Sequence, residues 1–505
     1  MIERLGGLYP SPPDQDCSLP TTVFQRSAVQ FALLLVLAVV LRFDTFGDPN
    51  LHGDEMFYQT VGVAMHHGAT PYVDVWDRKP FGLFLIYYLI AFISSAPLAY
   101  QLVATLFVAA TAWAIARITA RWTSVQGSLL AAVAYLLWLA PLQGYGGQSP
   151  VFYNLFIAMA ALLVLTALPA LQKGAVPKST YAAMALAGFG ITVKTSALFE
   201  ACFLGIYALI ALRQSGLSLT RTARTGVTWA AVGAAPALII ALTYSVLGHW
   251  EEYWHAMFTS NLAKETHWPT SLMRLKFLAM ALAPVGLFAL IGLVRLKPEA
   301  RRFTLLWLGA AIAGLASVPN FYLHYALPIL VPLCVGASTF FGKGIAGSGA
   351  AAVLAILSFS ISSPFQYGRA RESRAAMTQL EHAIDRHVGS GPLLLYDAPP
   401  QLYMRTGQPL ITPLVFPTHL AHMIEKDVSH LSTLDETNRV LKLKPSVVVM
   451  AHPLRNGPVN EETHQLVLGY VGQNCRLIEV VPTLERQRTD MIAVWGDCVR
   501  SNAGR

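Results

Sequence analysis

The residues best suited to chemistry lie in segment 48–80, which follows the first long apolar run and contains the motifs HGDE and DRKP. The adjacent carboxylates of Asp54 and Glu55 could take a proton from a hydroxyl group, as a general base does. Arg78 and Lys79 could hold a phosphate through charge-assisted hydrogen bonds. A base and a phosphate-binding pair in one segment predict a site for group transfer onto a hydroxyl.

Both motifs also have simpler interpretations. Asp54 could be the N-cap of a short interfacial helix with Phe57 and Val61 on its apolar face, and Glu55 would then be solvated. Lys79 precedes a proline that can begin a helix, and its charge could serve only to attract lipid headgroups. The residues alone leave these alternatives open.

Two later segments add weaker candidates. Lys194 and Glu200 lie between two apolar runs, where an ionisable group is costly and is therefore functional or paired. His324 and Tyr325, at the start of another apolar run, could bind phosphate or sugar hydroxyls. Further candidates for substrate binding are Tyr58, Tyr145 and Gln148, the last two in the glycine-rich segment GYGGQSP.

The elements that must position these residues are membrane helices. Charged residues make up 13% of the chain and apolar residues 54%, and neither 81–116 nor 122–172 contains a charge. This composition excludes a set of soluble domains and predicts a polytopic α-helical membrane protein. The basic residues lie in short segments between apolar runs, so nucleic-acid binding is not expected. No metal ligand spacing or cofactor motif occurs.

The distribution of Lys and Arg sets the predicted topology. If 81–96 is a half-embedded helix rather than a span, about eleven spans remain, with 14 basic residues in the inner segments and five in the outer ones. The predicted order is a cytoplasmic leader at 1–27, a transmembrane domain at 28–363 whose first outer loop is 48–96, and an outer domain at 364–505.

The C-terminal segment reads as a small α/β domain without recognisable chemistry, suited to a scaffold or to acceptor docking. A hairpin turning at 486–487 would place Cys475 opposite Cys498, so we expect a disulfide there. Cys17, Cys202 and Cys334 should stay reduced. Strands are predicted at 393–397, 446–452 and in RLIEVV and MIAVWG, and helices at 399–407, 417–427, 432–443 and 459–471.

The chain resembles the GT-C class of polyprenyl-phosphate-sugar glycosyltransferases over roughly residues 25–345. The resembling segments, in order, are GDEMFYQTVGVAMHHGATPYVDVWDRKPFGLFLIYYL, GFGITVKTS and HYALPILVPL. The most similar group is glycosyltransferase family 39, with protein O-mannosyltransferases, lipid A aminoarabinose transferases and lipopolysaccharide-decorating transferases. The resemblance implies that Asp54 is the catalytic acid of the first loop and that Lys79 holds the lipid phosphate. In the predicted mechanism, Arg78 and Lys194 assist Lys79 in stabilising the charge on that phosphate.

The resemblance also implies the partners and the place of the reaction. The donor would be a polyprenyl-phosphate-linked sugar and the acceptor a glycan, lipid or protein hydroxyl, both on the outer face of the membrane. Because none of the nine asparagines lies in an Asn-X-Ser/Thr sequon, we expect a bacterial inner membrane and a reaction on its periplasmic face. Two departures stand out: GYGGQSP lacks the carboxylate that relatives carry in the second outer loop, and Arg78 replaces an acid found in some aminoarabinose transferases. The latter favours a fully cationic phosphate clamp without a metal.

The alternative from another class is a multispan transporter or flippase for a lipid-linked or anionic substrate. It would account for Lys194 and Glu200 without catalysis, but it predicts inverted internal repeats, and the two halves of the sequence show none.

Overall fold

The structure is a computed structural model that describes residues 19–263, 266–454, 458–485 and 488–498. Most of the chain forms a helical bundle, and a smaller domain with a four-stranded sheet follows it. The helices of the bundle are Leu19–Arg42 (α1), Gly53–His66 (α2), Phe81–Ala91 (α3), Pro97–Thr119 (α4), Val125–Trp138 (α5), Ser149–Leu171 (α6), Lys178–Val193 (α7), Leu198–Arg213 (α8), Leu219–Val246 (α9), Trp250–Trp254 (α10), Ser260–Ala263 (α11), Trp268–Arg295 (α12), Pro298–Ala316 (α13), Leu327–Phe341 (α14) and Gly344–Ser362 (α15).

Among the described residues, eight stretches are long and apolar enough to cross a membrane. They contain α1, α4, α6, α8, α9, α12, α14 and α15. The other three predicted spans correspond to α5, α7 and α13, which pack among these long helices. The chain is therefore a multi-pass membrane protein.

Two features at the start of the chain bear on the predicted boundaries. Helix α1 begins at Leu19, earlier than the predicted first span, and residues 1–18 of the predicted leader, with Cys17, lie outside the described residues. Helix α3 has 11 residues, so it is about 16 Å long, roughly half of a hydrocarbon core. It is too short to span, as the half-embedded assignment requires.

The C-terminal domain confirms the predicted α/β unit. Its sheet has the order β1-β2-β4-β3, with β1 and β2 parallel and the remaining pairs antiparallel. Helix α16, which the sequence did not predict, packs against β3 and β4. The elements are Tyr367–His387 (α16), Leu393–Tyr396 (β1), Gln401–Arg405 (α17), Pro417–Ala421 (α18), Thr433–Lys442 (α19), Val447–Ala451 (β2), Glu461–Asn474 (α20), Arg476–Glu485 (β3) and Arg488–Gly496 (β4).

The C-terminal domain packs directly on the segment between α1 and α3. The hydroxyl of Ser373 donates to Asp48 at 2.6 Å, and the amide of Gln401 donates to the carbonyl of Pro49 at 2.7 Å. The backbone N–H of Trp76 donates to the carbonyl of Pro413 at 2.9 Å. The C-terminal domain therefore covers much of the long first loop, and most of the residues of α2 up to Gly62 are buried.

In the structure, Cys475 and Cys498 form a disulfide bond next to the paired ends of β3 and β4, whereas Cys202 and Cys334 are free. The predicted turn at 486–487 lies outside the described residues. We expect the bond to be present in protein purified from membranes, because this domain is predicted to face an oxidising compartment. Mass spectrometry of non-reduced peptides should recover the linked pair, and free thiols at both positions would contradict the prediction.

Candidate active site

The site begins at the N-terminus of α2, where the structure corrects one prediction. His52, not Asp54, is the N-cap of this helix: its Nδ1 accepts a hydrogen bond from the backbone N–H of Asp54 at 3.2 Å. The imidazole takes the capping role, so the carboxylate of Asp54 extends from the first turn toward other side chains.

Asp54 and Lys79 meet at this point. The Nζ atom of Lys79 lies 3.7 Å from Oδ1 of Asp54 and 3.4 Å from Oδ1 of Asp77. On the other side, Nε2 of His324 lies 4.0 Å from Oδ2 of Asp54. Side chains separated by up to 270 positions in the sequence therefore form one cluster, and the side chains of Asp54 and Lys79 are only 17% and 19% exposed.

The charges of the cluster stabilise one another. Burial alone would raise the pKa of Asp54, but the positive charge of Lys79, with His52, outweighs it and holds that pKa well below its usual range. Burial would lower the pKa of Lys79, but Asp77 and Asp54 raise it above its ordinary value. Both groups are therefore ionised at neutral pH.

Aromatic rings surround the ammonium group of Lys79. Its Nζ lies 5.5 Å from the ring centres of both Tyr58 and Phe416. The ring of Tyr325 lies 4.8 Å from that of His324 and carries Nζ of Lys194 on its face at 4.9 Å. Tyr58, Lys194, His324 and Tyr325 were all predicted as site residues, and the structure brings them around the Asp54–Lys79 pair. Glu200 accepts a hydrogen bond from Nε1 of Trp307 at 2.7 Å and lines a small pocket together with Lys194 and Tyr325.

Glu55 lies on a different side of α2 from Asp54 and is fully buried. Its carboxyl group is packed under the glycine-rich segment, so closely that a Cβ atom at Gly146 would collide with it. Burial raises the pKa of Glu55 to about 7, although His52 and the backbone of Gly147 act in the opposite direction. Glu55 is therefore enclosed beneath the glycine-rich segment and has no contact with solvent, and its shared catalytic role stays a prediction.

The raised pKa of Glu55 predicts a pH dependence of stability. Between its ordinary value of 4.5 and about 7, the folded protein holds a proton that the unfolded chain has lost, so the free energy of unfolding falls as pH rises through this window. Glu55→Gln should flatten this dependence. Melting temperatures of wild type and variant in nanodiscs at pH 5 and pH 8 would check it, and an unchanged slope in the variant would contradict it.

Arg78 and Lys79 do not form a fully cationic clamp. The guanidinium of Arg78 donates from Nη2 to both carboxylate oxygens of Glu425, at 2.7 and 2.8 Å, and so is held by the C-terminal domain. Asp77, which the sequence analysis missed, contributes a buried carboxylate next to Lys79. This chain therefore has its acid at position 77, directly before Arg78, Lys79 and Pro80. Some aminoarabinose transferases have theirs one position later, where this chain has Arg78.

The two remaining candidates belong to the glycine-rich segment GYGGQSP. Tyr145 lines a small separate pocket with Arg42 and Leu139, near the ends of α1 and α5. Gln148 is buried directly before α6.

The sequence analysis also missed residues that the C-terminal domain supplies. Phe416 and His419 lie beside Lys79 and Asp77, with Nε2 of His419 at 3.8 Å from Oδ2 of Asp77. The only signal was the clustering of His419, a second histidine and Glu425 in FPTHLAHMIEK. Among the described residues, no group of three metal-ligating side chains could hold an ion.

Two cavities flank the site. One of about 520 Å³ begins at Pro80, directly after Lys79, and runs between the ends of several long helices. Apolar side chains dominate its wall, among them Phe81, Ile191, Phe199, Ile240 and Met257. A second cavity, of about 680 Å³, lies between α2 and residues 403–413 of the C-terminal domain. Neither Asp54 nor Lys79 is among the residues that line either cavity.

Comparison with known proteins identifies the fold. No family model matches the sequence, and no curated protein matches it either. Among solved structures, ArnT from Cupriavidus metallidurans bound to undecaprenyl phosphate superposes with a TM-score of 0.59 at 12% identity, covering 96% of this chain and 100% of that one. The apo state of the same protein gives a TM-score of 0.45 at 13% identity, with the same coverage.

The chain therefore has the fold of a GT-C glycosyltransferase. This confirms the predicted fold class, a polytopic helical membrane protein followed by an α/β domain. A solved structure that it resembles over nearly its whole length is that of ArnT from Cupriavidus metallidurans.

Proposed function

We propose that the chain is a membrane glycosyltransferase that moves a sugar from a polyprenyl phosphate to an acceptor hydroxyl on a glycolipid, lipopolysaccharide, polysaccharide or protein. The reaction takes place on the periplasmic face of a bacterial inner membrane, with the N-terminus in the cytoplasm and the C-terminal domain in the periplasm. The observation that carries this proposal is the contact of Asp54 with Lys79, directly before Pro80 and Phe81, which line an apolar cavity.

The position of the cavity supports a lipid-linked donor. Lys79 is followed directly by Pro80 and Phe81, which line the cavity between the long helices. A phosphate held by the ammonium group of Lys79 would therefore have its first isoprene units among apolar side chains and its sugar near Asp54. The solved ArnT structure of the same fold contains undecaprenyl phosphate, which agrees with a donor of this class.

The proposed chemistry is an inverting displacement. The carboxylate of Asp54 takes the proton of the acceptor hydroxyl, whose oxygen forms a bond to the anomeric carbon. The bond between that carbon and the phosphate oxygen breaks at the same time, and its electron pair leaves with the polyprenyl phosphate. The positive charge of Lys79, with Lys194 nearby, stabilises the negative charge that develops on the phosphate.

Donor binding itself prepares the base. In the absence of donor, Lys79 holds the pKa of Asp54 so low that the carboxylate is a weak base. A donor phosphate competes with Asp54 for the same ammonium group and adds negative charge beside it. Both effects raise the pKa of Asp54 toward the range in which it can accept a proton, so the acid becomes an effective base only when the donor is present.

A structure with bound lipid tests the proposal. Electron cryomicroscopy of the protein in nanodiscs containing undecaprenyl phosphate should show the phosphate within hydrogen-bond distance of Nζ of Lys79 and chain density in the cavity at Pro80 and Phe81. A phosphate held by other cations, with that cavity empty, would overturn the assignment of the donor site.

A further inference from the structure

Each of the four residues 76–79 of the first loop contacts segment 416–425 of the C-terminal domain. This segment contains α18 and the short 3₁₀ helix Met423–Glu425. The pairs, in chain order along the first loop, are Trp76 with His419 at 4.9 Å between ring centres, Asp77 with His419, Arg78 with Glu425, and Lys79 with Phe416. Four consecutive side chains thus have partners in one segment more than 330 residues away.

The pair of Arg78 and Glu425 is the strongest of these contacts. Both side chains are largely buried, with 14% and 7% exposure, and both carboxylate oxygens accept from one guanidinium nitrogen. A buried, charge-assisted pair has a defined geometry, and removing either partner leaves an uncompensated charge. It therefore fixes the backbone at position 78, between Asp77 and Lys79.

Asp77 connects the segment to Lys79. Its Oδ1 accepts from the backbone N–H of Lys79 at 2.9 Å and lies 3.4 Å from Nζ, while its Oδ2 faces His419. Burial lowers the pKa of His419 to about 4, although Asp77 opposes this, so the imidazole is neutral at pH 7. Because His419 is neutral, Lys79 is the charged partner of Asp77 in this pair of contacts.

We infer that segment 416–425 belongs to the active centre, with Glu425 and His419 as positioning residues that hold Lys79 in place to receive the donor phosphate. The inference rests on the proposed function, because it assigns these residues to the same phosphate site. The C-terminal domain is then more than the scaffold or acceptor-docking unit that its sequence suggested.

A charge exchange tests the inference. Binding of undecaprenyl phosphate in nanodiscs would be measured for wild type, Glu425→Arg, Arg78→Glu and the double exchange, each alongside its melting temperature. We expect each single variant to lose affinity by about tenfold or more and the double exchange to recover to within about threefold of wild type. Glu462→Gln is the matched control, because it breaks the surface pair with Lys426 next to the segment and should bind normally.

The outcomes separate the two claims. If wild type binds no undecaprenyl phosphate, the proposed function fails. If wild type binds it and the single variants bind equally well while only their melting temperatures fall, the pair is merely structural and the inference is overturned. Lost affinity in Arg78→Glu that the double exchange does not recover would indicate that Arg78 itself binds the phosphate, which would also overturn it.

Discussion

Asp54→Asn should reduce sugar transfer by about a hundredfold or more, within the range usual for loss of a general base. The substitution keeps the shape of the side chain and leaves the helix cap intact, because His52 supplies it. Donor affinity should stay the same or increase, since the asparagine no longer competes with the phosphate for Lys79. Turnover and binding of undecaprenyl phosphate would be measured on the same nanodisc preparation.

The matched control is Glu55→Gln, which changes the neighbouring carboxylate. Glu55 is buried under the glycine-rich segment, so this variant should keep most of the transfer activity. More than about a tenth of wild-type turnover in Asp54→Asn would place the base elsewhere, and a large loss in Glu55→Gln would mean that the two acids share the role.

Lys79→Ala should weaken donor binding by about 10- to 100-fold, the range expected for losing a hydrogen bond to a charged group. Turnover should fall as well, because nothing then neutralises the leaving phosphate. The variant also leaves the carboxylates of Asp54 and Asp77 without their shared cation, so its melting temperature should fall. Equilibrium binding of undecaprenyl phosphate is the measurement.

Lys79→Arg tests how much of these losses comes from the missing charge. Arginine restores the positive charge but is larger than lysine, so we expect partial recovery of both donor affinity and melting temperature. If Lys79→Ala bound the donor as tightly as wild type, the phosphate site would have to lie at Lys194 or His324, the other cationic candidates around Asp54.

The helices and strands could be predicted because their signals are local. Uncharged runs, the length of the helix after Pro80 and the alternation of elements in the C-terminal domain are all properties of short windows. The contact of Asp54 with Lys79 could be proposed for a related reason, since both residues lie in one loop. The disulfide of Cys475 and Cys498 could be predicted because the two cysteines are equally far in sequence from the turn of one hairpin.

The residues that complete the site could not be predicted from local signals. Glu425 meets Arg78 across 347 positions, and nothing in either motif specifies that distance. Adjacent residues on a helix point about 100° apart. Asp54 therefore contacts Lys79 while Glu55 is fully buried, and this difference depends on which distant segments cover each side of α2. Asp54 was assigned as the cap because its residue type is favoured there, whereas the structure uses the preceding histidine.

The most direct test of the central claim is transfer itself. Purified protein in liposomes would receive radiolabelled sugars on undecaprenyl phosphate, with bacterial envelope extract as the source of acceptors. The account predicts that label moves to an acceptor fraction, that undecaprenyl phosphate is released in equal amount, and that Asp54→Asn abolishes both. Label that crosses the bilayer still attached to its lipid, or that binds without leaving it, would contradict the account.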